Sequence, residues 1–93
     1  MTTKSLEYFL VVVKHLNISK AAKELFISQP ALSKQISQLE AELGVSLFDR
    51  TKHSLKLTNA GEVLLSETNE LFKKQDELIQ RVRAAGNVSD NVL

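Results

Sequence analysis

The spacing of apolar residues predicts two amphipathic helices near the N-terminus. The first can be capped by Ser5, and its apolar residues recur at helical spacing: Leu6, Phe9, Leu10, Val13 and Leu16. The second, "KAAKEL", is short and can be capped by Ser19. Its apolar side contains the adjacent Ala21 and Ala22, which would let a neighbouring helix approach closely.

A third helix is expected to begin abruptly within "FISQPALSKQISQLE". Ser28 is its capping candidate, and Pro30 suits the first turn, where its missing N–H costs nothing and its fixed φ favours the helix. Gly44 is the natural end of this helix. The polar residues before Glu40 are serine, glutamine and lysine, so one face carries no carboxylate. The buried stripe is predicted to comprise Leu32, Ile36, Leu39 and Leu43.

Two short strands and one long helix are predicted for the rest of the chain. The strands, near residues 47–50 and 55–57, would pair as a small hairpin. Thr58 can cap the helix, which is expected to run from about Asn59 to Ala85 and to end at Gly86 and Asn87.

The long helix carries an apolar stripe that a small three-helix core could not cover. Pairing with the same helix of a second chain is the economical interpretation, because two such stripes would bury each other. Thr68 and Gln75 would be polar positions suited to setting the register of the pair. The stripe comprises Leu65, Thr68, Phe72, Gln75, Ile79 and Val82, with Leu64, Leu71 and Leu78 beside it.

The composition is that of one soluble globular domain. A chain of 93 residues suffices for one compact domain, and 43% of its residues are hydrophobic. The absence of cysteine excludes disulfides, thiolate zinc sites and cysteine nucleophiles. The longest apolar run, "FLVVV", is too short to span a bilayer, and the N-terminus lacks the apolar core of a signal peptide. We therefore expect a cytoplasmic protein without a membrane partner.

The net charge of +1 is unevenly distributed. Residues 1–58 contain eight Lys and Arg against five Asp and Glu, a net charge of +3. Residues 59–93 contain four against six, a net charge of −2. A basic half joined to an acidic half suggests two separate tasks.

A short alanine-containing helix, a tight turn and a helix that starts Ser-Gln-Pro form a helix-turn-helix pattern. In this motif the first helix braces the second, whose N-terminal residues project into the DNA major groove. A carboxylate-free start suits this role because carboxylates would be repelled by the phosphate backbone. Phe26 departs from the generic pattern, since many such turns carry glycine.

The stretch "SKAAKELFISQPALSKQISQLEAELGVSLFDR", followed by "LKLTNAGEVLL", resembles the N-terminal domain of LysR-type bacterial transcriptional regulators. The resemblance covers about residues 4–85 and implies a mainly α fold that binds double-stranded DNA sequence-specifically. A winged helix-turn-helix of three helices and a two-stranded wing would occupy residues 1–58. A linker and dimerisation helix would occupy residues 59–86, and a tail at 87–93 would lead to an absent effector-binding domain.

The resemblance also implies which residues contact DNA. The recognition helix, about Gln29 to Leu43, would lie in the major groove. Lys34 stands where the family often has arginine, so it lacks the bidentate fork that reads guanine. The recognition-helix contacts would be Ser28, Gln29, Pro30, Ser33 and Lys34, and the wing and backbone contacts would be Lys20, Arg50, Lys52 and His53.

The same resemblance implies a homodimer whose subunits bind the half-sites of an interrupted palindromic operator. The full-length protein would form a higher oligomer, and a small-molecule effector would bind only through the absent C-terminal domain. No cofactor is expected. The dimer contact would be formed by Leu65, Phe72, Ile79 and Val82.

A helical dimeric protein-interaction module is the alternative interpretation. The same fold could pair through its last helix without binding nucleic acid, and Gln29 and Ser33 would then be ordinary solvated residues. Arg50 could pair with Asp49 or Glu40, although a phosphate contact is favoured.

An enzyme is not expected. His53, Asp49 and Ser54 could be imagined as a catalytic set, but they crowd one hairpin tip without oxyanion donors to complete a site. The chain also lacks a Gly-rich phosphate loop, an HExxH motif and paired catalytic carboxylates.

Overall fold

The computed structural model describes residues 1–51 and 54–90. Within them the chain forms three helices, a two-stranded antiparallel hairpin and a long fourth helix, which confirms the predicted mainly α, winged helix-turn-helix fold. The elements are α1 Thr3–His15, α2 Ile18–Leu25, α3 Gln29–Leu43, β1 Phe48–Asp49, β2 Lys56–Leu57 and α4 Asn59–Asp90. In the hairpin, Phe48 lies opposite Leu57 and Asp49 lies opposite Lys56.

Helix α1 begins earlier than expected because Thr2, and not Ser5, caps it. The Thr2 hydroxyl accepts a hydrogen bond from the Ser5 N–H (3.0 Å), and the Ser5 hydroxyl accepts one from the Thr2 N–H (2.9 Å). This reciprocal pair is a capping box in which serine replaces the usual Glu or Gln. Ser5 is therefore inside the first turn, and the prediction that it forms the cap is wrong.

Helix α2 is capped by Asn17 rather than by Ser19. The side-chain oxygen of Asn17 accepts a hydrogen bond from the Lys20 N–H at 2.9 Å, and Asn17 has the extended backbone typical of an N-cap. Ser19 lies in the first turn of the helix, so the prediction that it forms the cap is wrong. Its hydroxyl is available for a different contact.

The turn between α2 and α3 contains a phenylalanine in the left-handed conformation. Phe26 has a φ of 56°, and its side chain is 95% exposed. The next residue, Ile27, donates its N–H to the Ala22 carbonyl at 3.1 Å and so closes the end of α2. The turn is tight without glycine, at a conformational cost of roughly 1 kcal/mol.

The start and the end of α3 agree with the local signals in the sequence. Ser28 accepts a hydrogen bond from the N–H of Ala31 at 3.2 Å, and Pro30 lies in the first turn. Gly44 ends the helix with a φ of 72°. The predicted abrupt start and glycine end are therefore confirmed.

The core lies where α1, α2, α3 and the hairpin meet. The rings of Phe9 and Phe48 pack with their centroids 5.5 Å apart and so join α1 to β1. The predicted stripe of α3 is buried except at Leu43, which is partly exposed. The buried apolar residues are Leu6, Phe9, Val12, Ala21, Ala22, Leu32, Ile36, Leu39, Leu47 and Phe48.

The buried face of α1 differs from the predicted one at its C-terminal end. Val12 is fully buried, Val13 is only partly buried and Leu16 is 43% exposed. The reason is that α1 ends at His15 and Leu16 adopts a φ of 48°, so Leu16 no longer continues the helical stripe.

Helix α4 is anchored at its start to the segment before the wing. Thr58 caps α4 as predicted: its hydroxyl accepts a hydrogen bond from the Gly61 N–H (3.0 Å) and donates one to the Ser46 carbonyl (2.6 Å). A Cβ at Gly61 would overlap the Leu47 carbonyl oxygen and the Leu57 side chain. Glycine at this position therefore lets α4 lie directly against the backbone that leads into β1.

The far end of α4 extends beyond the predicted boundary. The helix continues through Gly86 and Asn87 to Asp90, so the prediction that these two residues end it is wrong. Glycine ends a helix when it adopts a positive φ, and Gly44 is the described glycine that does so. Although α4 is long, neither it nor any other helix among residues 1–51 and 54–90 combines the length and apolar content needed to cross a membrane.

Candidate nucleic-acid interface

The exposed N-terminal end of α3 brings together most of the predicted recognition residues. Ser28, Gln29, Pro30 and Lys34 are exposed, and Ser33 is partly buried. Their exposure follows from the buried stripe of α3, which begins only at Leu32 and faces the core. The result is a polar, accessible helix start.

This helix start is electrostatically suited to an anion. The first turn of α3 contains no acidic residue. Pro30 has no N–H and Ala31 donates its own to Ser28, so Gln29 provides the free backbone donor of this turn, at the positive end of the helix dipole. Lys34 adds a positive charge. The first carboxylate along α3 is Glu40, which is engaged in hydrogen bonds elsewhere.

Gln29 is held by a residue that the sequence interpretation did not include in the site. The Ser19 hydroxyl donates a hydrogen bond to the side-chain oxygen of Gln29 at 2.9 Å. The two residues lie on different helices, so no local spacing rule connects them. The turn at Phe26 brings the starts of α2 and α3 close together, and Ser19 and Gln29 are therefore in contact.

Glu40 connects the end of α3 to the base of the wing. Its carboxylate accepts hydrogen bonds from the backbone N–H groups of Leu47 (2.7 Å) and Phe48 (3.4 Å). It also pairs with the Arg50 guanidinium at 3.4 Å. The ion pair between Arg50 and Glu40, one of the alternatives to a phosphate contact, is therefore present. The Arg50 side chain is 46% exposed, however, and such surface pairs contribute little free energy.

The carboxylate of Asp49 is bound by Thr51, whereas Arg50 pairs with Glu40. The Thr51 hydroxyl (2.6 Å) and N–H (2.9 Å) both donate to Asp49, and these hydrogen bonds lower the pKa of Asp49 below its ordinary value. The predicted wing residues Lys52 and His53 lie outside the described residues. The imagined catalytic set therefore has its Asp49 engaged with Thr51 and its histidine outside the described part of the chain.

A cleft of about 400 Å³ lies between the start of α2, the start of α3 and the base of the wing. Gln29 and Arg50 both line it, so the structure places one predicted recognition residue and one predicted wing residue on the same side of the molecule. Lys20 is exposed next to Ser19 at the start of α2. The full lining comprises Leu16, Asn17, Ile18, Ser19, Gln29, Arg50, Ser54 and Leu55.

Lys14 belongs to a polar contact between α1 and α2. Glu24 accepts hydrogen bonds from Lys14 (2.9 Å) and from the His15 ring (2.8 Å). The hydrogen bond from Lys14, followed by that from His15, lowers the pKa of Glu24. This cluster braces the first helix against the second.

The predicted dimer stripe of α4 divides into a covered and an uncovered part. Thr68 is 2% exposed in the single chain, so the prediction that it sets the register between two subunits is wrong. Leu65 and Phe72 are partly buried, whereas Ile79 and Val82 are exposed. An apolar groove of about 280 Å³ lies between the start of α1 and this part of α4, lined by Thr3, Leu71, Phe72, Lys74, Gln75 and Leu78.

The fold is a winged helix-turn-helix in which the N-terminal end of the third helix, α3, is exposed. The model of the family described as "Bacterial regulatory helix-turn-helix protein, lysR family" matches residues 3–62. The chain belongs to this family, as the resemblance in its sequence indicated.

Relatives and solved structures agree with this assignment. The chain is 48% identical over 66 residues to the HTH-type transcriptional regulator AlsR of Bacillus subtilis, a match that covers 71% of the chain and 22% of AlsR. It is similar to the CbnR DNA-binding domain in a DNA complex, with a TM-score of 0.84, 36% identity and coverage of 92% and 99% of the two chains. The BenM DNA-binding domain in complex with benA site 1 DNA has a TM-score of 0.84, 34% identity and coverage of 92% and 97%.

The chain is much shorter than its curated relatives. It spans 22% of AlsR and 29% of YybE, a second regulator from Bacillus subtilis. Both relatives are described as HTH-type transcriptional regulators, YybE as an uncharacterized one.

Proposed function

We propose that this chain is the DNA-binding region of a bacterial LysR-type transcriptional regulator and binds double-stranded DNA sequence-specifically as a homodimer. The observation that carries the proposal is the exposed, carboxylate-free start of α3 on a winged helix-turn-helix fold. The similarity to the CbnR and BenM domains, which were solved with DNA, supports the same role for this surface.

The start of α3 reads the major groove. The side-chain amide of Gln29 carries both donors and an acceptor for base edges, and Ser33 adds a hydroxyl one turn later. Ser28 serves first as the cap of α3 by accepting from the Ala31 N–H, which leaves the Gln29 N–H of the first turn for a phosphate. Pro30 starts the helix, and Lys34 supplies a point charge that suits a phosphate better than bidentate guanine recognition.

The wing and the start of α2 contact the DNA backbone. Arg50 retains donors beyond its single 3.4 Å contact with Glu40, and its exposure leaves it able to reach a phosphate. Lys20 contributes from the neighbouring helix, and Lys52 with His53 completes the set. These contacts supply most of the affinity, because phosphate neutralisation releases condensed counterions.

Helix α4 pairs two subunits. Its apolar stripe is exposed in the single chain at Ile79 and Val82 and partly covered at Leu65 and Phe72, so a second copy of the helix would remove the exposed part from water. Pairing would place two recognition helices against the half-sites of an interrupted palindrome. The functional units are residues 1–58 for DNA, 59–86 for pairing and 87–93 for the connection to an effector-binding region of the whole protein.

In the whole protein, that effector-binding region would bind a small molecule, and further subunits would assemble into a higher oligomer. The protein acts in the cytoplasm, on the nucleoid. The proposed role of the chain is to bind DNA, and this role requires neither a cofactor nor catalysis.

The test is a selection of duplexes from genomic fragments with the 93-residue chain, followed by titration of the best duplex at several salt concentrations. We expect a two-fold symmetric site and an affinity that falls steeply between about 50 and 200 mM salt. A folded dimer that enriches no duplex would contradict the proposal and favour the protein-interaction module.

Gln29→Ala tests the base-reading role within this function. We expect discrimination between the selected site and random DNA to fall by about 1–3 kcal/mol, because a base edge loses its hydrogen-bonding partner. Gln38→Ala, which alters an exposed glutamine further along α3, is the matched control and should leave discrimination unchanged. Equal weakening of both duplexes by Gln29→Ala would contradict the role.

A further inference from the structure

One side-chain hydrogen bond joins the first turns of α2 and α3. The Ser19 hydroxyl donates to the side-chain carbonyl oxygen of Gln29 at 2.9 Å. Ser19 is free to make this contact because Asn17 caps α2. Both side chains are exposed and line the cleft between α2, α3 and the wing. The bond therefore lies on the surface proposed to face DNA.

This hydrogen bond gives the Gln29 amide a direction. A terminal carboxamide has a broad torsional preference and can turn over unless a partner holds one end. Because Ser19 binds the oxygen, the nitrogen is the end of the amide that this contact leaves without a partner. Among the described residues none accepts a hydrogen bond from that nitrogen, so its two donors are available to a molecule outside the chain.

We propose that Ser19 determines base selectivity through Gln29, by holding the side-chain amide with its nitrogen toward the acceptor atoms of a purine edge in the major groove. The inference rests on the proposed function, in which Gln29 contacts base edges. Purines present N7 as an acceptor there, and guanine adds O6. Without the Ser19 hydroxyl, the amide can turn either its nitrogen or its oxygen toward the base. Gln29 would then distinguish less well between base edges that donate and base edges that accept a hydrogen bond. Ser19 is thus a positioning residue.

The experiment uses the 93-residue chain and a duplex that the unaltered chain selects from random-sequence DNA. Binding is measured for this duplex and for versions that carry each of the other base pairs at every position of the half-sites. Gln29→Ala first identifies the base pair at which discrimination depends on Gln29. Ser19→Ala is then expected to lower discrimination at that same base pair roughly three- to ten-fold, the value of one hydrogen bond.

Three variants separate positioning from a general structural role. Ser19→Thr keeps a hydroxyl and is expected to retain the base preference. Adding Ser19→Ala to Gln29→Ala is expected to change discrimination less than about two-fold, because no amide remains to be oriented. Ser37→Ala, at an exposed serine further along α3, is the matched control and should leave the preference unchanged. Thermal unfolding of each variant verifies that the fold is retained.

The possible results distinguish the positioning role of Ser19 from the base-reading role of Gln29. Uniform weakening of all duplexes by Ser19→Ala would overturn the inference and assign the hydroxyl to the DNA backbone. Additive losses in the double variant would overturn it as well. If Gln29→Ala lowers discrimination and Ser19→Ala does not, the inference fails while the base-reading role of Gln29 stands. If Gln29→Ala changes no base preference, both fail.

Discussion

The helix-turn-helix region and the distal part of α4 bury their apolar residues to different extents. Phe9, Leu32 and Ile36 are fully buried within the single chain. Beyond Thr68, in contrast, α4 leaves Val82 63% exposed, and Leu71 and Leu78 more than half exposed. The first region has a core of its own, although Phe26 in its turn is 95% exposed. The second region leaves a row of apolar side chains exposed along one helix.

The difference has an energetic consequence for each region. Full burial of a large apolar side chain contributes about 1.5–3 kcal/mol, so the helix-turn-helix region obtains its stability from its own core. The distal part of α4 has little such burial, and isolated helices are only marginally stable in water. We therefore expect the stability of residues beyond 68 to depend on protein concentration, as pairing would require.

The largest expected effect comes from breaking the core of the first region. Ile36→Ala should lower the free energy of unfolding by about 2–5 kcal/mol, because it leaves a cavity where α3 meets the core. Gln80→Ala, at an exposed polar position of α4 outside the apolar stripe, is the control and should change the free energy of unfolding by less than about 0.5 kcal/mol. Chemical denaturation measures both, and similar losses at the two positions would remove the contrast between the regions.

Charging the stripe of α4 should act on pairing and spare the fold. Ile79→Asp is expected to weaken the dimer by about 2–4 kcal/mol, because a carboxylate would be buried between two apolar helices. Sedimentation should then show monomers, with an unchanged helix-turn-helix by circular dichroism. Phe72→Asp should act likewise, and Ser66→Asp, at an exposed polar position, should not. Dimers that survive both stripe variants would refute the assignment of the dimer contact.

The two glycines of α4 offer a matched comparison between its anchored and its free part. Gly61→Ala should destabilise the fold by about 1–3 kcal/mol, because the new methyl overlaps the Leu47 backbone. Gly86→Ala meets open space and should stabilise the helix by about 0.5–1 kcal/mol. Thermal unfolding measures the change in stability for each variant. A change of the same sign for both variants would show that α4 is not anchored at Gly61.

The smallest expected effect is a pH dependence within the first region. The hydrogen bonds from Lys14 and His15 lower the pKa of Glu24 in the folded chain, so its ionised form is favoured by folding. The stabilisation is present above the ordinary pKa of 4.5 and is lost as the pH falls through the lowered pKa. Glu24→Gln should therefore reduce the loss of stability on acidification, and an unchanged acid limb in urea unfolding would contradict this role.

Much of the fold was predictable because its signals are local. Ser28, Pro30 and Gly44 mark the two ends of α3 through the backbone conformations that each residue favours. The same local rules could not rank Asn17 above Ser19 as a cap, since both side chains are competent and the chain geometry before α2 decides between them. Gly86 shows the opposite case, in which a residue suited to end a helix lies inside one.

The sequence by itself determined the order of the elements, the carboxylate-free start of α3 and the LysR-family pattern, because each depends on residues close together in the chain. Only the tertiary structure decided how Glu40 connects Leu47 and Arg50, that α4 contacts backbone at Gly61, and that Ser19 holds Gln29. These contacts join residues that are up to 14 positions apart. Their physical origin is the way the helices and the wing pack, which hydrophobic spacing does not specify.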